Sequence, residues 1–276
     1  MTTTLRPAEP EERQDDGTRG RRYDVCVNSR RVGGIHLATD ARFGPTAGRI
    51  GYLDIDPADR HRGRATVAAL AAEEVLRGWG CRQIELTVPA EAAAALRLAA
   101  ALGYTERSRT MSKPLAGPPR LPEGSRDRPL GEADYPVWRE AALAGYVRTL
   151  LAQGMPRDRA EESALAAHRA LLPDGAATAD QVLRILVHDG AEVGSVWVAL
   201  RMPEQPGGYV VDVHVAPGHR GRGHGRTLML VAERESLAAG CTGLGLNVYA
   251  DNAPARGLYD SLGYRPTAHL LWKPIL

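Results

Sequence analysis

Lysine is nearly missing from this 276-residue chain: Lys113 and Lys273 are the only two, and arginine carries the rest of the positive charge. With abundant alanine and glycine, that usage suggests a bacterial gene of high GC content. An excess of either charge is missing too. Lys and Arg number 35 against 33 Asp and Glu, a formal net charge of +2, so no overall field calls for nucleic acid as a partner. There is no apolar run of about 18 residues, so no membrane-spanning helix is expected. The N-terminal residues are polar and carry Pro and Glu early, unlike a secretory leader. Cysteine is scarce, and Cys26, Cys81 and Cys241 lack metal-ligand spacing. An odd number of thiols fits a reducing cytoplasm with free cysteines, and no metal is expected. Hydrophobic content of 43% and charge of 25% fit a globular protein whose length suits two domains.

What is present is glycine, concentrated at one turn. Residues 209–215 alternate and are β-branched, as in a half-buried strand. Ala216-Pro217-Gly218-His219 breaks the strand, and Arg220-Gly221-Arg222-Gly223-His224-Gly225-Arg226 follows. A helix is expected from Thr227, with Leu228, Val231, Ala232 and Leu237 on its apolar side and Gly240 closing it. A glycine-rich turn at a helix start lets backbone N–H groups converge on an anion, helped by the helix dipole and the arginines. The spacing excludes two common anion loops. A dinucleotide fingerprint needs glycine where Arg226 stands, and a P-loop needs Gly-Lys-Ser/Thr, which is absent.

The remaining pattern, Arg220-x-x-Gly223-x-Gly225, resembles the coenzyme A loop of the GNAT superfamily of acetyl-CoA-dependent acyltransferases. Downstream, a strand over 244–249 leads into Asn252, Ala255, Leu258-Tyr259 and Leu262-Gly263-Tyr264, which resembles the second GNAT signature. The resemblance covers about 128–276 well and the first half more weakly.

The first half repeats the second. Adding 160 carries Pro57 to Pro217, Arg60 to Arg220, Gly63 to Gly223, Ala65 to Gly225, Glu73 to Glu233, Gly103 to Gly263, Tyr104 to Tyr264 and Lys113 to Lys273, without a gap. At the polar positions the copies differ: Tyr259 falls on Ala99, Asn252 on Ala92, Asn247 on Thr87 and Gly221 on His61. The expected architecture is α/β, with an α+β mixed sheet: two GNAT-like domains, each a twisted mixed β-sheet flanked by helices. The expected divisions are a mobile tail over 1–22, a degenerate copy over 23–115, a linker over 116–128 and a complete copy over 129–276. In the first copy, strands are expected over 23–28, 31–37 and 49–55, with a turn at Ser29-Arg30. The second copy is expected to open with helices over 132–153 and 157–171, then a hairpin of strands 181–188 and 192–201.

The resemblance implies acetyl-CoA as co-substrate, held by the amides of Gly221, Arg222, Gly223, Gly225 and Arg226, with Arg220 opening the pattern. It implies that Val215 pairs with the pantetheine arm, that the Val213 N–H meets the thioester oxygen, and that Tyr259 protonates the leaving thiolate. Asn252 either caps the last helix or bonds the pantetheine. Asp212 and His214, two apart in one strand, share a face, with Val211, Val213 and Val215 on the other. They are read as cation binder and proton acceptor, or as a paired carboxylate and an exposed imidazole. The expected activity is acetyl transfer to a primary amine, of a small molecule or a peptide N-terminus, by direct attack in a ternary complex on the second copy. Two alternatives stand beside it: a mycothiol-synthase-like acetyltransferase, and a non-catalytic CoA-sensing or nucleic-acid-binding protein.

Overall fold

The structure, a computed structural model, describes residues 2–15, 17–40, 44–202 and 207–275. In chain order the first repeat runs β1 (Thr3–Pro7), β2 (Glu12–Arg13), β3 (Arg19–Val27), β4 (Arg30–Asp40), β5 (Gly44–Ile55), α1 (Arg64–Gly78), β6 (Gln83–Pro89), α2 (Ala93–Ala101) and β7 (Thr105–Pro114). The second runs β8 (Ser125–Pro129), α3 (Tyr135–Ala152), α4 (Arg157–Leu171), β9 (Gln181–His188), β10 (Ala191–Ala199), β11 (Gly208–Val215), α5 (His224–Ala238), β12 (Gly243–Tyr249), α6 (Ala253–Ser261) and β13 (Arg265–Pro274). No helix among the described residues is long and apolar enough to cross a membrane.

The chain divides into two compact units, but not at the repeat boundary. One comprises Met1–Arg109 with Thr267–Leu276, the other Thr110–Pro266. In the first unit the strand order is β1-β3-β4-β5-β6-β13, so its last strand comes from the second repeat. Leu271 and Ile275 are buried in that unit's core with Ile35, Leu37, Leu76 and Ile84. In the second unit the order is β7-β12-β11-β10-β9-β8, and Met111 from the first repeat is fully buried among Leu228, Leu244 and Leu246. The two repeats have exchanged their final strands. The repeat itself does not announce this, since β7 and β13 occupy the same repeat position and end in the same Lys-Pro pair.

Residues 1–22, expected as a mobile tail, instead supply β1, β2 and the start of β3. Thr3 to Pro7 pair with Tyr23 to Val27, and Leu5 packs on the core. A polar strand with one face on a sheet has the composition of a tail, and the pairing partner decides. The turn between β3 and β4 sits at Asn28-Ser29, both at positive φ (47° and 72°), one residue before the expected place. Two left-handed residues in succession make the tight turn whose twist suits a hairpin. The linker expected over 116–128 overlaps β8, which pairs with β9. Helix α4 and strand β9 have the expected bounds. Helix α5 begins at His224, three residues before the expected start, because Gly223 at φ 88° forms its N-cap.

Candidate active site

The second unit contains an opening made by the backbone. Strands β11 and β12 pair in parallel only from Gly208–Val210 to Leu244–Leu246. Beyond that they part, while β11 stays paired with β10 as far as Val215. Unpaired strand edge is costly when buried, so the parted segment of β11 is suited to an extended ligand. At its end lies the glycine turn. Gly221 and Gly223 take φ of 74° and 88°, and a Cβ at either would meet nothing within 4 Å. Both are therefore glycine for their conformation, with open space above them. No side chain caps α5; the Arg226 N–H turns back to the Gly223 carbonyl at 2.9 Å, leaving the earlier amides of the first turn to an outside acceptor. The Arg220 Nε donates to the Val215 carbonyl at 3.2 Å, so this arginine lashes the turn to the strand end. Arg226 donates to Ser261 Oγ at 2.6 Å, tying α5 to α6, and Arg222 is exposed.

A β-bulge changes which way β11 side chains face. Trp197 stands opposite Asp212 but Val198 opposite Val210, leaving Val211 as the extra residue. Val211 therefore packs with Trp197 and Leu183, whereas Val213 and Val215 pack with Val210 and Leu228. The expected shared face of Val211, Val213 and Val215 is thus broken at Val211. Asp212 lies opposite Trp197, and His214, exposed, opposite Ser195. The approach of β10 to β11 is tight enough that a Cβ on Gly194 would run into the His214 carbonyl oxygen.

Asp212 and Tyr259 come within electrostatic reach of each other. Tyr259, on α6, is buried beside Tyr264 in an edge-on contact with ring centroids 6.0 Å apart. Burial, and then the Asp212 carboxylate, push its phenol up to about 12. Asp212 itself is raised above the ordinary aspartate range by burial, against the opposing pull of His214 and of the Val213 N–H that it accepts. The Val213 amide, expected to face a thioester oxygen, is engaged by this carboxylate. A carboxylate raised in the fold makes its charged form costly, fully so above that raised pKa, and the cost shrinks as pH falls below it, vanishing only under the unfolded value of about 3.9. Asp212→Asn is therefore expected to raise the thermal midpoint at about pH 8 while lowering the acetyl-transfer rate, with the stability gain shrinking towards about pH 5. Melting curves at both values check this; equal midpoints throughout would contradict it.

Asn252 is the N-cap of α6, and its side chain accepts from the Ala255 N–H at 3.2 Å, so the capping role is the one occupied. Its replacement by alanine is expected to cost about 1 kcal/mol, read as a lower denaturant midpoint at unchanged slope.

The first unit keeps the frame and lacks the acid. Strands β5 and β6 pair only from Ala47–Ile50 to Gln83–Leu86 and then part, and the same bulge recurs at Gly51. His61 and Gly63 hold φ of 58° and 72°, and the Arg60 Nε donates to the Ile55 carbonyl at 2.7 Å. Buried Ala99 stands where the second unit has Tyr259.

Two features of the site were not found by sequence reasoning. One is a group of histidines, His188, His219 and His224, whose rings gather beside the turn. They are scattered along the chain, and only the spacing of His219 and His224 around the turn hinted at it. The other is the pairing of Lys113 with buried Glu233, at 2.8 and 2.9 Å. Its one signal was that both lysines of the chain occupy equivalent repeat positions.

A mixed sheet that parts beside a glycine turn and a helix N-terminus, present twice, is the architecture of an acyltransferase built from tandem copies. The chain belongs to the acetyltransferase (GNAT) family, whose model matches residues 2–104 and again 147–264. Mycothiol acetyltransferase of Beutenbergia cavernae is 31% identical over 229 residues, which are 78% of this chain and 72% of that protein. Among solved structures, a GCN5-related N-acetyltransferase from Sphaerobacter thermophilus superposes with a TM-score of 0.60 at 20% identity, covering 92% of this chain and 80% of its own. A tandem GNAT protein from the clavulanic acid biosynthesis pathway gives a TM-score of 0.51 at 22% identity, over 92% of this chain and 82% of its own. At those identities the two structures speak for the fold alone.

Proposed function

We propose that the second unit transfers an acetyl group from acetyl-CoA to a primary amine. The reading is carried by one juxtaposition: a parted strand edge with an uncapped, glycine-rich helix start at one end and a buried, protonated phenol beside it. The amides of Gly221, Arg222, Gly223 and Gly225 hold the coenzyme's diphosphate, joined by that of Arg226 where it can share its bond to the Gly223 carbonyl, and Arg220 keeps the turn in shape. The pantetheine arm lies along β11 at Val213 and Val215. The Val213 N–H turns from Asp212 to the thioester oxygen as charge develops there.

The amine nitrogen attacks the thioester carbon, forming the N–C bond as the C–S bond breaks. The arriving ammonium first gives one proton to His214, directly or through water, which makes it a nucleophile; after attack the nitrogen loses a second proton to water, and the sulfur gains one from Tyr259, which solvent reprotonates. Asp212 attracts the incoming ammonium, and its charge is released from burial when the cation arrives. The first repeat supplies the strand that completes this sheet, and Ala99 stands where it would need an acid of its own.

The 31% identical relative makes a mycothiol-type acceptor the second reading. An amine panel with acetyl-CoA, followed by free-thiol release and product mass, tests both. Acetylation of simple amines favours the first reading, and acetylation confined to that acceptor the second. Salt-dependent nucleic-acid binding without thiol release would overturn both.

A further inference from the structure

The histidine group beside the turn stands where the first unit has fixed charge. By the repeat, Asn28, Asp59 and Arg64 correspond to His188, His219 and His224. In the first unit Asp59 is buried and accepts both Arg30 Nη groups at 2.9 Å, and buried Arg64 pairs with it as well. In the second unit the same place holds three imidazoles. The His188 and His224 ring centroids are 4.9 Å apart, and those of His219 and His224 are 6.1 Å apart. His224 is the first residue of α5 and is buried between the two glycines of the turn's Gly-x-Gly.

We propose that His188, His219 and His224 are positioning residues of the turn that take up a proton when it receives the carrier's diphosphate. This rests on the reading that the turn holds that diphosphate. The groups around His224 are known from each element packed there. His188, at the end of β9, has Ser125 of β8 at 2.9 Å from its Nδ1 and Asp189 at 3.4 Å from its Nε2. His219 lies in the short turn after β11, and Arg222 in the glycine turn itself. Burial first, and then His188, His219 and Arg222, hold His224 below the ordinary imidazole range, with Asp189 pulling the other way. A diphosphate at the first turn of α5 reverses that balance, because its negative charge favours the imidazolium. The change from a carboxylate–guanidinium cluster to histidines makes the second unit's grip responsive to pH.

The sign follows from linkage. Uptake of one proton on binding tightens affinity by up to about tenfold for each unit that pH falls within the histidine range. The test is calorimetric titration of coenzyme A into the full chain, in two buffers of different ionisation enthalpy. The variant is His219→Asp combined with His224→Arg, which installs the first unit's pair in the second. Proton uptake is expected in the parent and should fall towards the value due to the coenzyme's own phosphates in the variant. Equal uptake by both would overturn the proposal. Histidine resonances of the parent, titrated with and without coenzyme A, give a readout independent of the variant's folding, and an unmoved His224 midpoint would also overturn it. Absence of any coenzyme A binding would instead sink the functional reading on which this rests.

Discussion

Replacing Tyr259 by phenylalanine is expected to lower kcat by about 10²–10⁴-fold, the range that one positioned proton donor contributes, with little change in KM for acetyl-CoA. Burial keeps Tyr259 protonated and ready to donate, while making it a weaker acid than an ordinary tyrosine, so transfer depends on the thiolate being destabilised beside Asp212 as well. Its phenol, pushed up to about 12 by burial and by Asp212, holds its proton across the working pH range. A departing thiolate, whose conjugate thiol has a pKa of about 8.5, is otherwise stranded beside the Asp212 carboxylate in a site poor in water. Phenylalanine keeps the ring and its edge-on contact with Tyr264, so the thermal midpoint should not fall. A rate loss with retained stability separates a proton donor from a packing residue. An unchanged kcat would remove Tyr259 from the chemistry and leave a water or the acceptor itself to supply the proton. The first unit is the built-in comparison, since Ala99 at the equivalent place has no proton to give.

The parts of this site that could be read from sequence are those in which conformation is written in residue type. Gly221 and Gly223 announce left-handed backbone, and the signature around Tyr259 places one phenol on one helix. The repeat was legible because one offset holds across both copies, and with it the loss of the acid in the first. What could not be read depends on partners distant in the chain. The bulge at Val211 arises from pairing with β10, and it defeats a face assignment that strict alternation would give. Strand β1 exists because β3 offers it an edge. The gathering of His188, His219 and His224 needs β9, the turn and α5 to be folded first. The exchange of β7 and β13 is invisible for a different reason: both strands occupy the same repeat position and end in the same Lys-Pro pair, so the repeat does not say which sheet each one joins.

That exchange predicts a crossed effect. Lys113 lies in the first repeat's sequence, yet its ammonium neutralises Glu233 of the second unit, with the Tyr264 hydroxyl donating to the same carboxylate at 3.2 Å. Lys273, from the second repeat, does the same for Glu73 of the first unit, at 2.8 and 3.0 Å. Lys113→Ala strands a buried carboxylate against Tyr264, which in turn supports Tyr259. Removing one partner of a buried pair costs about 3–5 kcal/mol, and the lower end applies because the lysine keeps some contact with water. For a unit of this size that is a fall of roughly 10 °C in the thermal midpoint. Acetyl transfer should fall with it, although the change is made in the repeat that lacks the acid. Lys273→Ala should lower the first unit's stability by a similar amount and spare the activity more. Combining Lys113→Met with Glu233→Gln removes the stranded charge while keeping a hydrogen-bonding partner for Tyr264, and should restore most of the loss. Equal damage in the single and double variants would mean that packing, not charge, holds the exchanged strand, and loss of activity from Lys273→Ala alone would mean that the strands are not exchanged.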